Sequence, residues 1–476
     1  MRTSNFKYET LAKEIEDKIN TGVYKVGDKL PSIRLFTKKM NLSMVTVNRA
    51  FEELEKHNLI ESKPKSGYYV KSPKVIPFEL PKHRRFKSIP APIALDKATN
   101  SIIDMVANSD YLPLGAGIID PQLFPYKYFN RILKSFSADD IKRLLTYESF
   151  QGNYELRRLI AQHMMGRVEG IGPDDIIITN GCVEAASICL HALAKSGDII
   201  AVESPTYYLL LQLLQELGII VVEIPTTPQH GFDVDAYENV LKVMDIKACL
   251  LTPNFNNPMG SLMPDDKKEK LVSLAHKYNV PIIEDDIFSE LHYQSAQPLP
   301  LKSHDQHDLV LTCSSFSKTL SPGFRIGWTI PGKRFKEKVL NLRGGMSVSS
   351  AKLTQKILTD FLTYGGYDRH LRNLRKTIQH QTYVTALAIK QDFPQGTKLA
   401  MPKGGYMLWV ELPEKINSMV FFNKALEKNI MIVPGVICSN SRRFQNYIRM
   451  SCGFPFDQKM KEGVKELGNI AKELNF

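Results

Sequence analysis

No two cysteines in this chain are spaced as a CxxC pair; the six, at 182, 189, 249, 313, 438 and 452, are scattered. That excludes a metal ribbon or a disulfide framework, so no metal is expected and a reducing compartment, the cytoplasm, is. Long apolar runs are missing as well. The most apolar stretch, 209–224, is broken by Gln212, Gln215, Glu216 and Gly218, well short of the ~20 apolar residues a membrane span needs. No apolar signal segment is read at the start, and the expectation is a soluble protein with no membrane partner. Disorder finds no support in the composition, and 476 residues leave room for two or three domains with ample core.

Acidic residues run short in one place. Residues 1–92 hold 19 Lys and Arg against 10 Asp and Glu, a net +9, whereas the whole chain is +12, which leaves only about +3 for the other 384 residues. A basic head on a nearly neutral body predicts that the head meets a polyanion, most simply double-stranded DNA. A basic tail kept for solubility is the plainer alternative. Tyr8, Leu11, Ala12, Ile15 and Ile19 recur at helical spacing, closed by Gly22. Residues 32–40 put Ile33, Phe36 and Met40 on one side; after a turn at Asn41-Leu42, Ser43 opens a third helix to His57 as its N-cap. In that helix Val47, Ala50, Phe51 and Leu54 face inward, leaving Val45, Arg49 and Glu52 outward and Thr46 and Asn48 at the margins. Two short strands, 59–62 and 68–71, joined by Lys63-Pro64-Lys65-Ser66-Gly67, add a wing with a basic tip.

The string KLPSIRLFTKKMNLSMVTVNRAFEELEKHNLI, followed by KSGYYV, resembles the GntR-type winged helix of bacterial transcription regulators. The resemblance implies DNA contacts from Arg34, Thr46 and Arg49, from Ser43 and Met44 at the start of the reading helix, and from Lys65, Ser66 and Gly67 at the wing tip. Arg34 and Lys65 would hold phosphates while the start of the third helix reads bases. Met44 departs from the arginine of many relatives. A thioether cannot fork onto guanine, so contacts from Met44 and Val45 to thymine methyl groups are expected instead. The winged helix is expected to span 1–71, and 72–93, rich in proline and positive charge, to be a linker reaching roughly 60 to 70 Å at ~3.3 Å per residue.

From 94 onward apolar runs alternate with amphipathic helices, the mark of an α/β domain with a mainly parallel sheet. Within it the stretch TCSSFSKTLSPGFRIGW, 312–328, stands out. Its Lys318 sits between apolar strands 309–311 and 326–330, beside Ser315, Ser317 and, seven residues on, Arg325. A lysine so placed loses water and with it proton affinity, until its free amine attacks a carbonyl. The hydroxyls and Arg325 suit a phosphate dianion. Upstream, Gly181-Cys182-Val183 opens a helix whose backbone N–H groups suit an anion. Tyr207, Asn257 and Asp285 each follow or end an apolar run, and an aspartate there keeps a pyridine nitrogen protonated. All six of Gly181, Tyr207, Asn257, Asp285, Lys318 and Arg325 are read as closing strands at one carboxyl edge.

In that order these residues resemble the fold-type I pyridoxal phosphate enzymes of the aspartate aminotransferase group. The resemblance implies that Lys318 carries the cofactor, Asp285 bonds its ring nitrogen, Asn257 its ring oxygen, and Tyr207 stacks. It also implies a phosphate cradle of Gly181, Cys182, Val183, Ser315, Ser317 and Arg325. Arg449, in YIRMS, would grip an effector's carboxylate, and Tyr147 would reach the neighbouring subunit of a homodimer. Phe288 stands where the group commonly has a tyrosine, which argues against full transamination. A large subdomain over about 110–340 and a small one over about 341–476 are implied.

A winged helix joined to an aminotransferase-like body resembles the MocR (GabR-like) regulators, which implies a transcription regulator sensing an amino compound, or pyridoxal phosphate itself. A working aminotransferase with an appended head is the alternative.

Overall fold

Among the described residues, three helices and a two-stranded ribbon build the head. The computed structural model describes residues 6–20, 23–24, 27–56, 59–63, 66–71, 78–81, 86–94, 101, 105 and 110–476. Helices α1 (Lys7–Asn20), α2 (Ile33–Met40) and α3 (Met44–Lys56) follow the expected periodicity. Ser32 caps α2 by accepting from Leu35 N–H at 3.3 Å, and Ser43 caps α3 by accepting from Thr46 N–H at 3.1 Å. Between them Asn41 takes the left-handed conformation, φ 50°, which its short polar side chain tolerates and which makes the turn tight. Strands β1 (Ile60–Lys63) and β2 (Gly67–Val70) pair antiparallel from Ile60–Val70 to Lys63–Gly67. Each lies one residue nearer the tip than expected, because the ladder closes on the Lys63–Gly67 pair. Gly22, His57, Pro64 and Lys65 lie outside the described residues.

In the head core Phe51 on α3 meets Phe36 on α2 (5.5 Å) and Tyr68 on the wing (4.9 Å), both edge to face, so one ring joins three elements.

The proline-rich stretch 72–93 is not a free linker over its described residues. Phe78 packs on the core of the C-terminal part, and Leu399 N–H donates to Glu79 O at 3.1 Å. The Arg443 guanidinium lies 3.8 Å from the Phe86 ring centre. Residues Ala91–Pro92 form an edge strand, β3, antiparallel to the strand Ile220–Thr227. Proline is tolerated there because an edge strand needs no second row of N–H donors. The free reach expected for this stretch is thereby cut short.

Among the described residues the body's large sheet has nine strands: β3, then β4 (Ile177–Thr179), β5 (Ile199–Ser204), β6 (Ile220–Thr227), β7 (Gly231–Phe232), β8 (Ile246–Leu251), β9 (Ile282–Asp285), β10 (Val310–Ser315) and β11 (Gly327–Ile330). Its order is β3-β6-β5-β8-β9-β10-β11-β4, with β7 beside β6. β6, β5, β8, β9 and β10 run parallel; β11 is antiparallel to both β10 and β4. Helices bury both faces, which is why these strands read as apolar runs without alternation. A second, antiparallel sheet, in the order β12 (Lys398–Leu399), β13 (Met407–Glu411), β15 (Tyr447–Ser451) and β14 (Val433–Pro434), packs with the helices Tyr367–Asp392 and Gln458–Asn475.

Because Phe51 is 1% exposed and joins α3 to α2 and the wing, Phe51→Ala is expected to cost about 3–5 kcal/mol. In calorimetry of the full chain the head's transition should fall or vanish, with loss of duplex binding, while the body's transition stays.

Candidate functional site

Strand direction decides what meets at the edge of the large sheet. β4, β5, β8, β9 and β10 all end there, delivering Gly181, Tyr207, Asn257, Asp285 and Lys318. Arg325 corrects the expectation that each of the six closes a strand: it precedes β11 and reaches the same edge because β11 is antiparallel and begins there. A cavity of about 270 Å³ opens at this edge, lined by Cys182, Val183, Tyr207, Asn257, Asp285, Ser317, Lys318 and Arg325. Gly117, Ile118, Tyr208, Leu209, Ile287 and Phe288 complete most of its wall.

The Lys318 ammonium donates to Gly117 O at 2.6 Å. Burial lowers its proton affinity to about 8, with the positive charges of Arg449 and Arg325 acting the same way and Asp285 opposing them. Burial also raises the Asp285 carboxyl to about 6; the Cys182 thiol (3.2 Å) and Ile287 N–H (3.1 Å) donate to it and limit the rise. Its neighbour Asp286 does other work, bonded to Arg167 at 3.1 Å, Asn254 at 2.8 Å and Ser289 at 2.7 Å.

Backbone shape builds the anion-seeking side. Gly181 has φ 92° and caps the helix Cys182–Leu193 with no side-chain partner, which leaves the helix's first N–H groups for an anion. A Cβ there would fall 2.5 Å from Arg325 Nη2, and one on Gly327 would fall 2.5 Å from the Gly181 carbonyl carbon. Only glycine at both lets the arginine lie against the helix start. Arg325 itself is left-handed (φ 52°) and donates to Asn180 O at 2.7 Å. Ser315 is buried and accepts from Ser317 N–H at 3.3 Å.

Arg449 is fully buried and donates to Asn257 Oδ1 at 2.9 Å and to Gly115 O at 2.6 Å. Among the described residues its Nε has no hydrogen-bond partner. Tyr147 lies away from this chain's cavity, 83% exposed. Two residues escaped sequence reasoning. Gly117 O accepts from both Lys318 and Tyr406, whose hydroxyl donates at 2.8 Å, and the Tyr406 ring lies 5.8 Å from that of Phe288. Neither carries a local signal, since each acts by contact across hundreds of residues.

In the head, Arg34, Ser43, Met44 and Arg49 are exposed and Thr46 is half-buried. The Ser43 hydroxyl is engaged with Thr46 Oγ1 (2.8 Å), and Ser66 with the Tyr69 hydroxyl (2.7 Å). Gly67, φ 107°, opens β2 at the wing tip, and Lys65 is outside the described residues.

The lowered Lys318 affinity has a signed consequence. In cofactor-free protein, acetylation of Lys318 followed by peptide mass spectrometry should reach half its maximal rate at pH about 8, against 10.5 for an ordinary lysine. Asp285→Asn removes the charge that favours the ammonium and should move the midpoint to lower pH. An unshifted midpoint near the ordinary value contradicts the geometry.

Comparison with known proteins follows the same division of the chain. Residues 7–70 match the model of bacterial regulatory proteins of the gntR family, and residues 111–467 match aminotransferase class I and II, a fold family that uses pyridoxal phosphate. Two similar relatives in Escherichia coli (strain K12) are the uncharacterized HTH-type transcriptional regulators YjiR and YdcR, each 35% identical. They align over 97% and 98% of this chain and 98% and 99% of their own length. A crystal structure of Pyrococcus horikoshii kynurenine aminotransferase in complex with PMP superposes with a TM-score of 0.74. It is 28% identical and covers 80% of this chain and 95% of that one. With both halves matched in this order, and with relatives that align from end to end, the chain belongs to the MocR-type HTH transcriptional regulators.

Proposed function

We propose that the body of this regulator holds pyridoxal 5'-phosphate on Lys318 and reads an amino compound through it, and that the reading changes the head's hold on double-stranded DNA. One observation carries the proposal: a single cavity joins an amine of lowered proton affinity, a buried aspartate and a helix start backed by an arginine.

The residues fit the group. Asp285 suits the pyridine nitrogen. Asn257, its oxygen already taken by Arg449, has its N–H₂ left for a ring oxygen. Tyr207 and Ile287, both on the cavity wall, suit the ring's faces. The N–H groups that follow Gly181, with Ser315, Ser317 and Arg325, suit the phosphate. When bound, the cofactor supplies an electrophilic carbonyl carbon that captures amines. Everything else falls to the chain. Lys318 Nζ, poorly solvated, would be the amine that holds that carbon, and when free its ammonium donates to Gly117 O at 2.6 Å. Arg449 orients an effector carboxylate.

The signal's route to the head runs through the described residues 78–81 and 86–94, of which Glu79 is fastened to β12 of the small sheet and Ala91–Pro92 to β6 of the large one. An effector shifts DNA affinity only as far as it prefers one arrangement of the heads over another. The regulator is cytoplasmic and a homodimer. Leu145, Tyr147, Phe150, Met346 and Val348 are all exposed, and Lys352, four residues after Val348, donates to Thr146 at 2.9 Å, so apolar side chains from both segments are left for a second copy.

Purified wild-type protein should be yellow, bind an operator duplex in a salt-dependent way, and change that affinity with an amino compound. Lys318→Ala should lose the colour and the response while keeping duplex binding. Arg49→Ala should weaken specific binding by about 1–3 kcal/mol. Rapid turnover of an amino donor and a 2-oxo acid, without salt-dependent duplex binding, would instead identify a working aminotransferase.

A further inference from the structure

We infer that the amino compound is an α-amino acid with an uncharged, carbon-rich side chain, rather than a dicarboxylic or basic amino acid or an amine that lacks a carboxylate. The inference rests on the proposed function and specifies its ligand. Three features of the cavity carry it.

First, Arg449 needs an anion. It is 0% exposed, and its bonds go to the neutral oxygens of Asn257 and Gly115. Among the described residues its Nε is unpartnered and no carboxylate pairs with it. A buried guanidinium bonded only to neutral oxygens retains much of its desolvation penalty, and a ligand carboxylate relieves it. An amine without a carboxylate forgoes that gain.

Second, the charges around the reacting amine are all in use. Those that act on Lys318 come from Arg449, Asp285 and Arg325, together with the Cys182 thiol, which burial keeps protonated. Asp285 and Arg325 belong to the cofactor and Arg449 to the carboxylate. Asp286 is already bonded to Arg167. A second carboxylate or an ammonium on the ligand's side chain would leave water with none of these charges free to meet it.

Third, the wall left over is mostly carbon. Once the cofactor's residues are set aside, Ile118, Tyr208, Leu209, Phe288 and Pro322 remain with Gly117 and Thr252; the Tyr208 hydroxyl is engaged with Arg449 and the Thr252 hydroxyl with Glu203. Phe288 and Tyr208 are buried, while Ile118 and Leu209 are half-buried at the rim, where a ligand side chain covers them. The Tyr208 ring lies 5.8 Å from the Arg449 guanidinium, so the carboxylate end and the apolar wall are neighbours. An aliphatic or aromatic side chain leaves water for this surface at a gain.

The test uses the cofactor-loaded, full-length protein. L-leucine, L-phenylalanine, L-glutamate, L-lysine and phenethylamine are titrated separately, each followed by the visible spectrum and by affinity for an operator duplex. Leucine and phenylalanine should half-saturate at concentrations at least about tenfold below the other three. Leu209→Arg, which places a cation at the rim, should improve glutamate relative to leucine by about tenfold. The reducible chromophore should persist in that variant, which shows the cofactor site intact. Glutamate, lysine or phenethylamine saturating as readily as leucine overturns the inference, as does a coloured protein that responds to none of the five. A protein with no chromophore overturns the proposed function itself, a separate and recognisable outcome.

Discussion

Three cations gathered about one carboxylate govern this body. Lys318, Arg325 and Arg449 all act on the same small volume, and Asp285 is the acid that faces them, since Asp286 is occupied by Arg167. Water would screen such an arrangement at the surface. In the interior it lowers the lysine's hold on its proton and makes the whole wall seek anions. In the proposed complex a phosphate would lie beside Arg325 and a carboxylate beside Arg449, with Lys318 under the charge of both arginines. The strand order follows from this need, because only a sheet with β11 turned against its neighbours brings Arg325 to the edge where Lys318 emerges. The two glycines at 181 and 327 follow as well, being the residues that let the arginine lie so close.

A second buried charge fastens the assembly. Glu223 on β6 accepts from Ser204 Oγ (2.9 Å), Ser439 Oγ (2.8 Å), Asn440 N–H (3.0 Å) and Ser441 N–H (3.2 Å). Its charge is met by this cluster of donors, which pins the loop 439–443 to the large sheet. The same loop holds the strap that leads to the head: Asn440 donates to Pro92 O at 3.1 Å and accepts from Ala94 N–H at 3.3 Å, and Arg443 lies over Phe86. On its other side Thr206 N–H, next to Tyr207, donates to Cys438 O at 2.9 Å. A short chain of contacts therefore runs from the cavity wall to the approach to the DNA-reading head.

Much of this was legible in the sequence because it is local. The helix-turn-helix showed itself through periodicity and the serine cap at Ser43; the second cap, Ser32, emerged only with the structure. Buried strands ending at Gly181, Tyr207, Asn257, Asp285 and Lys318 were visible as apolar runs followed by polar residues. What stayed hidden depends on distant pairing. The reversed direction of β11 is set by its neighbours, not by its own residues, so Arg325 looked like a strand's end rather than its beginning. The strap read as a free linker because proline and lysine favour extended, solvated chain, while its partners, Leu399, Asn440 and Arg443, lie more than 300 residues away. Tyr406 escaped for the same reason; a tyrosine after two glycines says nothing of the carbonyl it shares with Lys318.

The central claim concerns one nitrogen atom, and peptide mapping reaches it directly. Protein isolated with its cofactor, reduced with borohydride and digested, should carry the phosphopyridoxyl mass on a single peptide, the one from 312–328, with fragmentation placing it on Lys318. Modification spread over surface lysines, or a Lys318 peptide of unmodified mass in fully coloured protein, would contradict the account.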